Sequence, residues 1–124
     1  MVYADTDLFV AVVKDDDWLQ ERALSHIDEH EGEIWTSLAT FIELFWICEE
    51  YDLDREQAAA HILELASVDF DENVVFRADE YVSEGLTVLD AFHLAIANGD
   101  PVISSEKRFD RVIENRVTLE PGDE

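Results

Sequence analysis

Short apolar segments alternate with longer stretches of helical periodicity along the whole chain, and this alternation limits the possible fold more than any other feature. Val2 to Ala4, Ile34 to Thr36 and Pro101 to Ser104 are each typical of a buried strand. From Phe41 to Cys48, apolar residues follow the i, i+3, i+4, i+7 pattern of a core-facing helix. This alternation predicts an α/β fold with a short, mostly parallel central sheet and helices on both faces.

The segments between these landmarks complete the pattern. Helices are expected at Leu8 to Val13, Trp18 to His30, Asp54 to Ala66, Asn73 to Glu84 and Leu86 to Ala97. Val68 to Phe70 is expected to be a brief strand or a connector, and Val117 to Leu119 a last edge strand. No repeat, linker or low-complexity stretch interrupts the chain, so a single domain over residues 1–124 is predicted. Its last residues, Pro121 to Glu124, are expected to form a loose tail.

The charge of the chain is extreme, with 31 acidic against 8 basic residues and a formal net charge of −23. Repulsion of this order destabilises a compact state at low salt, whereas about 1 M salt shortens the Debye length to about 3 Å. We therefore expect an acidic surface that works in concentrated salt, as in a halophile. The charge also opposes nucleic-acid binding through a basic patch.

Cysteine content and hydropathy indicate the compartment. Cys48 is the single cysteine, so no internal disulfide can form and a reducing environment fits best. No apolar run approaches the roughly 18 residues that a membrane helix requires, and the start of the chain lacks a basic leader. A soluble cytoplasmic protein without a membrane partner is expected.

Two acidic residues stand out because their sequence surroundings are apolar. Glu43 is the only charged residue between Glu33 and Glu49, and Asp90 is the only one between Glu84 and Asp100. A carboxylate in such surroundings risks a desolvation cost of several kcal/mol unless it is paired, hydrogen-bonded, protonated or bound to a metal. These positions therefore point to a function beyond surface acidity.

Two further acids follow predicted strands, and all four can meet where the strands of a parallel sheet end. Asp5 follows the first strand, Glu106 follows Val102 to Ser104, and Glu43 and Asp90 are expected in the first turns of helices. Clustered carboxylates repel one another unless they share a cation, and oxygen ligands suit Mg²⁺ or Mn²⁺. Such ions support phosphodiester hydrolysis by a bound water.

Three basic residues beside Glu106 could bind phosphate locally although the net charge opposes nucleic-acid binding. They are Lys107, Arg108 and Arg111. Asp110 competes with Glu106 as the fourth acid of the site.

Helix capping offers a simpler explanation for two of the acids. Thr87 and Asp90 have the spacing of a capping box, and so do Thr40 and Glu43. Each acid taken singly is explained equally well by capping; the four acids in order favour a site.

Four segments taken in order resemble the PIN domain family, especially the toxin ribonucleases of VapBC toxin–antitoxin pairs. They are Val2 to Asp7 with the first acid, Thr36 to Leu44 with the second, Leu86 to Ala97 with the third and Val102 to Asp110 with the fourth. The resemblance covers nearly the whole chain. It departs from the family pattern at Glu106, where Asp is usual, and at Asp7, where Asn is frequent.

The resemblance implies a three-layer α/β fold and a Mg²⁺- or Mn²⁺-dependent endoribonuclease that cleaves RNA. It also implies a possible antitoxin partner and a possible homodimer. Thr6 and Ser104 would hydrogen-bond the carboxylates or a metal-bound water, and Asp7 would be a ligand or a helper. Two rival functions stay open: a PIN-like binding module that has lost hydrolysis, and a phosphatase with an aspartyl nucleophile.

Histidine and tryptophan residues add weaker hypotheses. His26 and His30 have i, i+4 spacing and could bind a metal, but the sequence indicates no third ligand for them. His93 is expected to be a core histidine rather than a residue of the site. Trp18, Trp35 and Trp46 are expected in the core or an interface.

Overall fold

The computed structural model describes residues 1–121, and the rest of the expected C-terminal tail lies outside them. The helices are α1 Thr6–Val13, α2 Gln20–Glu29, α3 Leu38–Tyr51, α4 Arg55–Leu65, α5 Asn73–Ser83 and α6 Val88–Ala97. The strands are β1 Val2–Tyr3, β2 Ile34–Thr36, β3 Ser67–Val68, β4 Val102–Ser104 and β5 Arg116–Thr118, with a 3₁₀ helix at Lys107–Arg111. The predicted alternation of strands and helices is confirmed in this part of the chain.

The chain divides into two compact units, Met1–Asn73 and Val74–Glu124. In the first unit, β1, β2 and β3 form a parallel sheet in that order, with Val2 opposite Ile34 and Trp35 opposite Ser67. Successive strands are joined through pairs of helices, as parallel strands require. The parallel pairing predicted from the sequence is confirmed in this unit.

The core of the first unit is built on α3. Phe41, Leu44 and Phe45 are fully buried and Cys48 nearly so, which confirms the face predicted from their spacing. Burial of each large apolar side chain contributes about 1.5–3 kcal/mol. Helix α3 packs against α1 and α4, so this core fixes the helices that follow β1 and β2.

Helix α2 begins later than its periodicity predicts. The Asp17 Oδ1 atom accepts a hydrogen bond from the Leu19 amide at 2.9 Å, and the Gln20 amide donates to the Asp17 carbonyl. This turn occupies the chain before the first helical residue, Gln20. Trp18 is 87% exposed and so does not lie in the core, and the alternative that it belongs to an interface stays a prediction.

In the second unit, β4 and β5 pair in parallel, with Ile103 opposite Val117. Arg77 of α5 donates two hydrogen bonds to the Ala95 carbonyl of α6, at 3.2 and 3.0 Å. Helix α6 ends where predicted, because Asn98 adopts a left-handed conformation with φ 47°. Ile103 is 69% exposed, however, and the other two residues of β4 are half-buried, so the expectation of a buried strand is wrong.

Strand β1 was also predicted to be buried, and this prediction is wrong for both of its residues. Val2 and Tyr3 are exposed, and only Ala4, just after the strand, is buried. A strand of two residues at the edge of its sheet has too few neighbours to cover both faces. Among residues 1–121, no helix has both the length and the hydropathy needed to cross a membrane.

Candidate active site

The first predicted site residue, Asp5, lies directly after β1 and is the N-cap of α1. Its extended backbone lets the Oδ1 atom accept a hydrogen bond from the Asp7 amide at 3.0 Å. Asp5 is exposed, and its carboxylate keeps lone pairs beyond this one bond. The Asp7 side chain is also exposed, in the first turn of the helix, where negative charge is favourable.

Glu43 is coupled to the segment that carries Asp5. The buried Thr6 hydroxyl, one residue after Asp5, donates a hydrogen bond to Glu43 Oε1 at 2.9 Å. The two residues are 37 positions apart in the sequence, and the packing of α1 on α3 brings them together. The first unit thus connects Glu43 to the residue that follows Asp5, through a buried hydroxyl that orients the Glu43 carboxylate.

Two expectations about Glu43 are wrong. Helix α3 begins at Leu38 with Ser37 as N-cap, so Thr40 lies inside the helix and the capping explanation of Glu43 fails. Glu43 is the sixth residue of the helix rather than in its first turn, and its side chain is exposed between buried neighbours. The expected desolvation cost is therefore avoided, because Glu43 is exposed to solvent and accepts the hydrogen bond of Thr6.

Tyr3 is a neighbour of Asp5 that the sequence did not indicate as a residue of the site. The Tyr3 hydroxyl lies 2.8 Å from Ser37 Oγ, and its ring packs edge-on against Trp35 at 4.7 Å between centroids. The hydrogen bond with Ser37 lowers the pKa of Tyr3, and the negative charge of Asp5 opposes this shift. An aromatic residue at the end of a strand, two positions before an acid, is the only sequence signal for it.

Two threonines, Thr36 and Thr40, hold the end of β2 in place. Thr36 Oγ1 donates to the Ala4 carbonyl at 2.8 Å and lies 2.7 Å from Thr40 Oγ1. Thr36 and Thr40 are both buried. The backbone just before Asp5 is therefore tied to the first turn of α3, the helix that carries Glu43.

In the second unit, Asp90 is the third residue of α6. Its amide donates to the hydroxyl of the N-cap Thr87 at a long 3.4 Å, so the backbone half of the capping box is present. The half-buried Asp90 lines a cleft of about 640 Å³ with His93, Ser104 and Phe109. The His93 side chain is exposed, so the expectation of a core histidine is wrong.

Glu106 is held by its own turn and by Arg108. The Glu106 Oε1 atom accepts from the Arg108 amide and Nε at 3.0 Å each, and Oε2 accepts from Nη2 at 3.2 Å. These bonds lower the pKa of Glu106. Glu106, and to a lesser degree the charge of Asp90, raise the pKa of Arg108. Arg108 is thus the counter-ion of an acid that was expected to bind a metal.

Ser104 acts on the backbone of the same turn. Its Oγ atom accepts a hydrogen bond from the Glu106 amide at 2.9 Å. The resemblance implies that this hydroxyl donates to a carboxylate or a water, and its proton is left for such a bond. Ser104 therefore orients the peptide that presents Glu106.

Asp110, the competitor of Glu106, is engaged in a structural ion pair. Arg116 Nε and Nη2 donate to its two carboxylate oxygens at 2.9 and 3.0 Å, and Arg116 Nη1 donates to the Ser104 carbonyl at 2.6 Å. The Arg116 side chain is only 8% exposed. Arg116 lowers the pKa of Asp110. Because Arg116 is nearly buried, removing Asp110 would leave its charge without this partner, and that favours a structural role for Asp110.

The remaining predicted cations are accessible. Lys107 and Arg111 lie on the 3₁₀ helix and are exposed, as is Arg108. The positive charge of Arg111 contributes to the low pKa of Glu106, and that of Lys107 to the low pKa of Asp110. Arg108 could bind a phosphate only by exchanging its bonds to Glu106, whereas Lys107 and Arg111 face solvent.

The donor atoms in both units fit hard divalent cations. Asp5 and Glu43 in the first unit and Asp90 and Glu106 in the second offer carboxylate oxygens, the ligands that Mg²⁺ and Mn²⁺ prefer. The exposure of Asp5 and Glu43 gives an ion direct access to them from solvent. The pairing of Glu106 with Arg108 makes Glu106 the least available of the set.

Comparison with known proteins agrees with this chemistry. The family model described as PIN domain matches residues 2–115, a range that includes every site residue predicted from the sequence. No curated protein and no solved structure gives a significant match. The family match, the six helices and the short parallel strands in the described residues confirm the expected three-layer α/β fold class.

Proposed function

We propose that this chain, which belongs to the PIN domain family, is a Mg²⁺- or Mn²⁺-dependent endoribonuclease. The family itself indicates a function of the nuclease type. The observation that carries the finer proposal is the 2.9 Å hydrogen bond to Glu43 from the buried Thr6, the residue that follows Asp5 in the sequence. A buried hydroxyl that orients an exposed carboxylate is the arrangement expected around a metal ligand.

Asp5, Glu43 and Asp90 are proposed to hold the cation, with Glu106 as a fourth ligand. A bound divalent ion supplies Lewis-acid stabilisation of phosphate charge and a more acidic water for in-line attack. Thr6 holds Glu43 in position, and Ser104 holds the peptide of Glu106. No side-chain nucleophile is needed, which separates this proposal from an aspartyl phosphatase.

Arg108 is proposed to exchange partners when substrate binds. Its guanidinium makes a two-point contact with Glu106, and a phosphate offers the same geometry. Transfer of Arg108 to an RNA phosphate would free Glu106, while Lys107 and Arg111 add positive charge to the same turn. This exchange supplies local phosphate binding on a protein whose net charge is −23.

The finer biological role is also a proposal. The order of the four acids resembles that of toxin ribonucleases, so we propose that the protein is the toxin of a VapBC-type pair, that an antitoxin blocks it and that it forms a homodimer. We further propose that residues 1–124 act as one domain, in the cytoplasm of a halophilic cell, where concentrated salt screens the acidic surface. Coexpression with a neighbouring small reading frame should restore growth that the wild-type chain alone arrests.

The direct test is cleavage of single-stranded RNA by purified protein with Mg²⁺ in concentrated salt. We expect Asp5→Asn and Asp90→Asn each to abolish cleavage while circular dichroism shows an intact fold. Glu49→Gln is the matched control, since Glu49 is an exposed acid on the same helix as Glu43. Wild-type cleavage by Asp5→Asn or Asp90→Asn would refute the assignment.

The rival function, a binding module without hydrolysis, is favoured by one observation. Arg108 neutralises Glu106 and Arg116 neutralises Asp110, so these two acids are satisfied without an ion. Mn²⁺ titration separates the two functions. A nuclease requires binding that Asp5→Asn weakens, whereas an inactive module shows the same weak binding in wild type and variant.

A further inference from the structure

Three side chains at the end of α2 form a group of potential metal ligands unrelated to the acids discussed above. One ligand atom from each of His26, Glu29 and His30 lies within 4.8 Å of the other two. The sequence indicates the two histidines as a pair but no third ligand for them. The structure corrects this, because Glu29 at i+3 lies on the same face as the pair at i and i+4.

The position on the helix favours a cation. Glu29 is the last residue of α2 and His30 is its C-cap, so all three ligands lie in the last turn or just beyond it. The C-terminal end of a helix carries partial negative charge, which stabilises a positive ion there. The chain then turns tightly, with the Glu33 amide donating to the His30 carbonyl at 2.9 Å, so the backbone of His30 is held in place.

The donor set selects a different metal from the one proposed above. Two imidazoles and one carboxylate suit Zn²⁺ and its neighbours, whereas Mg²⁺ takes oxygen ligands. The spacing His26-x-x-Glu29-His30 is also one with which zinc enzymes place two imidazoles on one helix face. His26 and Glu29 are exposed and His30 is half-buried, so the side chains can rotate inward and water can complete the coordination.

We propose that the end of α2 binds one Zn²⁺-class ion through His26, Glu29 and His30. Such an ion links three side chains of the last turn and so stabilises the end of α2 and its turn into β2. Because the ion binds the folded chain, it raises the unfolding midpoint, and the stabilisation grows with the logarithm of one plus the ratio of the free Zn²⁺ concentration to Kd. This site is independent of the proposed nuclease activity and does not require it.

The test is calorimetric titration of Zn²⁺ into full-length protein that has been stripped with a chelator and dialysed. Excess Mg²⁺ is present throughout, so that sites made only of carboxylates are occupied. We expect one Zn²⁺ per chain, and a loss of affinity of at least about tenfold in His26→Ala and in His30→Ala. Glu29→Gln should weaken binding less, because both imidazoles remain.

His61→Ala is the matched control, because His61 is an exposed histidine on α4 outside the group. Its affinity and stoichiometry should equal those of wild type. A thermal melt gives a second readout: Zn²⁺ should raise the midpoint of wild type and of His61→Ala but not that of a His26→Ala/His30→Ala double variant. Unchanged affinity in both single histidine variants, or an equal loss in His61→Ala, would overturn the proposal.

Discussion

Replacement of Thr6 by valine removes one hydroxyl and keeps the shape of the side chain, so it isolates the hydrogen bond to Glu43. Bonds to a charged acceptor contribute about 1.5–3 kcal/mol when both partners are shielded. Thr6 is 3% exposed but Glu43 is exposed, so water replaces part of the lost bond. We expect the free energy of unfolding to fall by about 1 kcal/mol.

The consequence for cleavage should be larger than the consequence for folding. A loss of about 1 kcal/mol shifts the urea midpoint by roughly 0.5 M at a slope near 2 kcal/mol per molar. Loss of the group that orients a metal ligand typically lowers activity by about 10–100-fold. Cleavage of single-stranded RNA with Mg²⁺, measured where both proteins are fully folded, separates the two effects.

Thr6→Ser is the control, because it keeps the hydroxyl and removes only the methyl group. It should retain most of the cleavage activity. A Thr6→Val protein that cleaves RNA at the wild-type rate would refute the positioning role of Thr6. If Thr6→Ser were as inactive as Thr6→Val, the loss of cleavage activity would result from altered packing and not from the missing hydrogen bond.

Three further predictions concern the core, the surface and one ion pair. Phe45→Ala removes a fully buried ring and should lower the free energy of unfolding by about 3–5 kcal/mol in urea denaturation, whereas a change below 1 kcal/mol would contradict the assigned core. Raising the KCl concentration from about 0.1 M to about 1 M shortens the Debye length from about 10 to about 3 Å. Because this screens the repulsion between acidic side chains, the midpoint of thermal unfolding should rise. A midpoint that stays constant or falls would argue against an acidic surface adapted to salt. Arg108 holds the pKa of Glu106 below its ordinary value of 4.5, so this pair stabilises the fold above about pH 4.5 and loses that contribution as the pH falls through the lower folded pKa. Arg108→Gln should therefore raise the Glu106 pKa measured by NMR, and an unchanged value would show that the pair does not form in solution.

The sequence predicted the architecture because local signals agreed with the tertiary structure. The spacing of Phe41, Leu44 and Phe45 identified the buried face of α3, and Asn98 marked the end of α6 in a left-handed conformation. Where a local competitor was present, the prediction failed. The turn at Asp17 moves the start of α2 towards the C-terminus. The spacing of apolar residues does not reveal the hydrogen bond from the Leu19 amide to Asp17 that forms this turn.

The chemistry around the acids was harder to predict, because it depends on contacts between distant segments and on which side of a helix faces solvent. The apolar neighbours of Glu43 in the sequence suggested a buried side chain. The side chain is instead exposed, and it accepts a hydrogen bond from Thr6, which lies 37 residues away in the sequence. The pairing of Arg108 with Glu106 depends on rotamers within one turn, which spacing does not reveal. The sequence identified the acidic residues of the candidate site, but it did not identify the residues with which they form hydrogen bonds and ion pairs.

The measurement that tests the central claim most directly is the anomalous scattering of Mn²⁺ in crystals of the protein. The account predicts one or two strong peaks about 2.0–2.2 Å from carboxylate oxygens that include those of Asp5 and Asp90. Peaks that lie only on other surface acids, with both of these carboxylates free of metal, would contradict it.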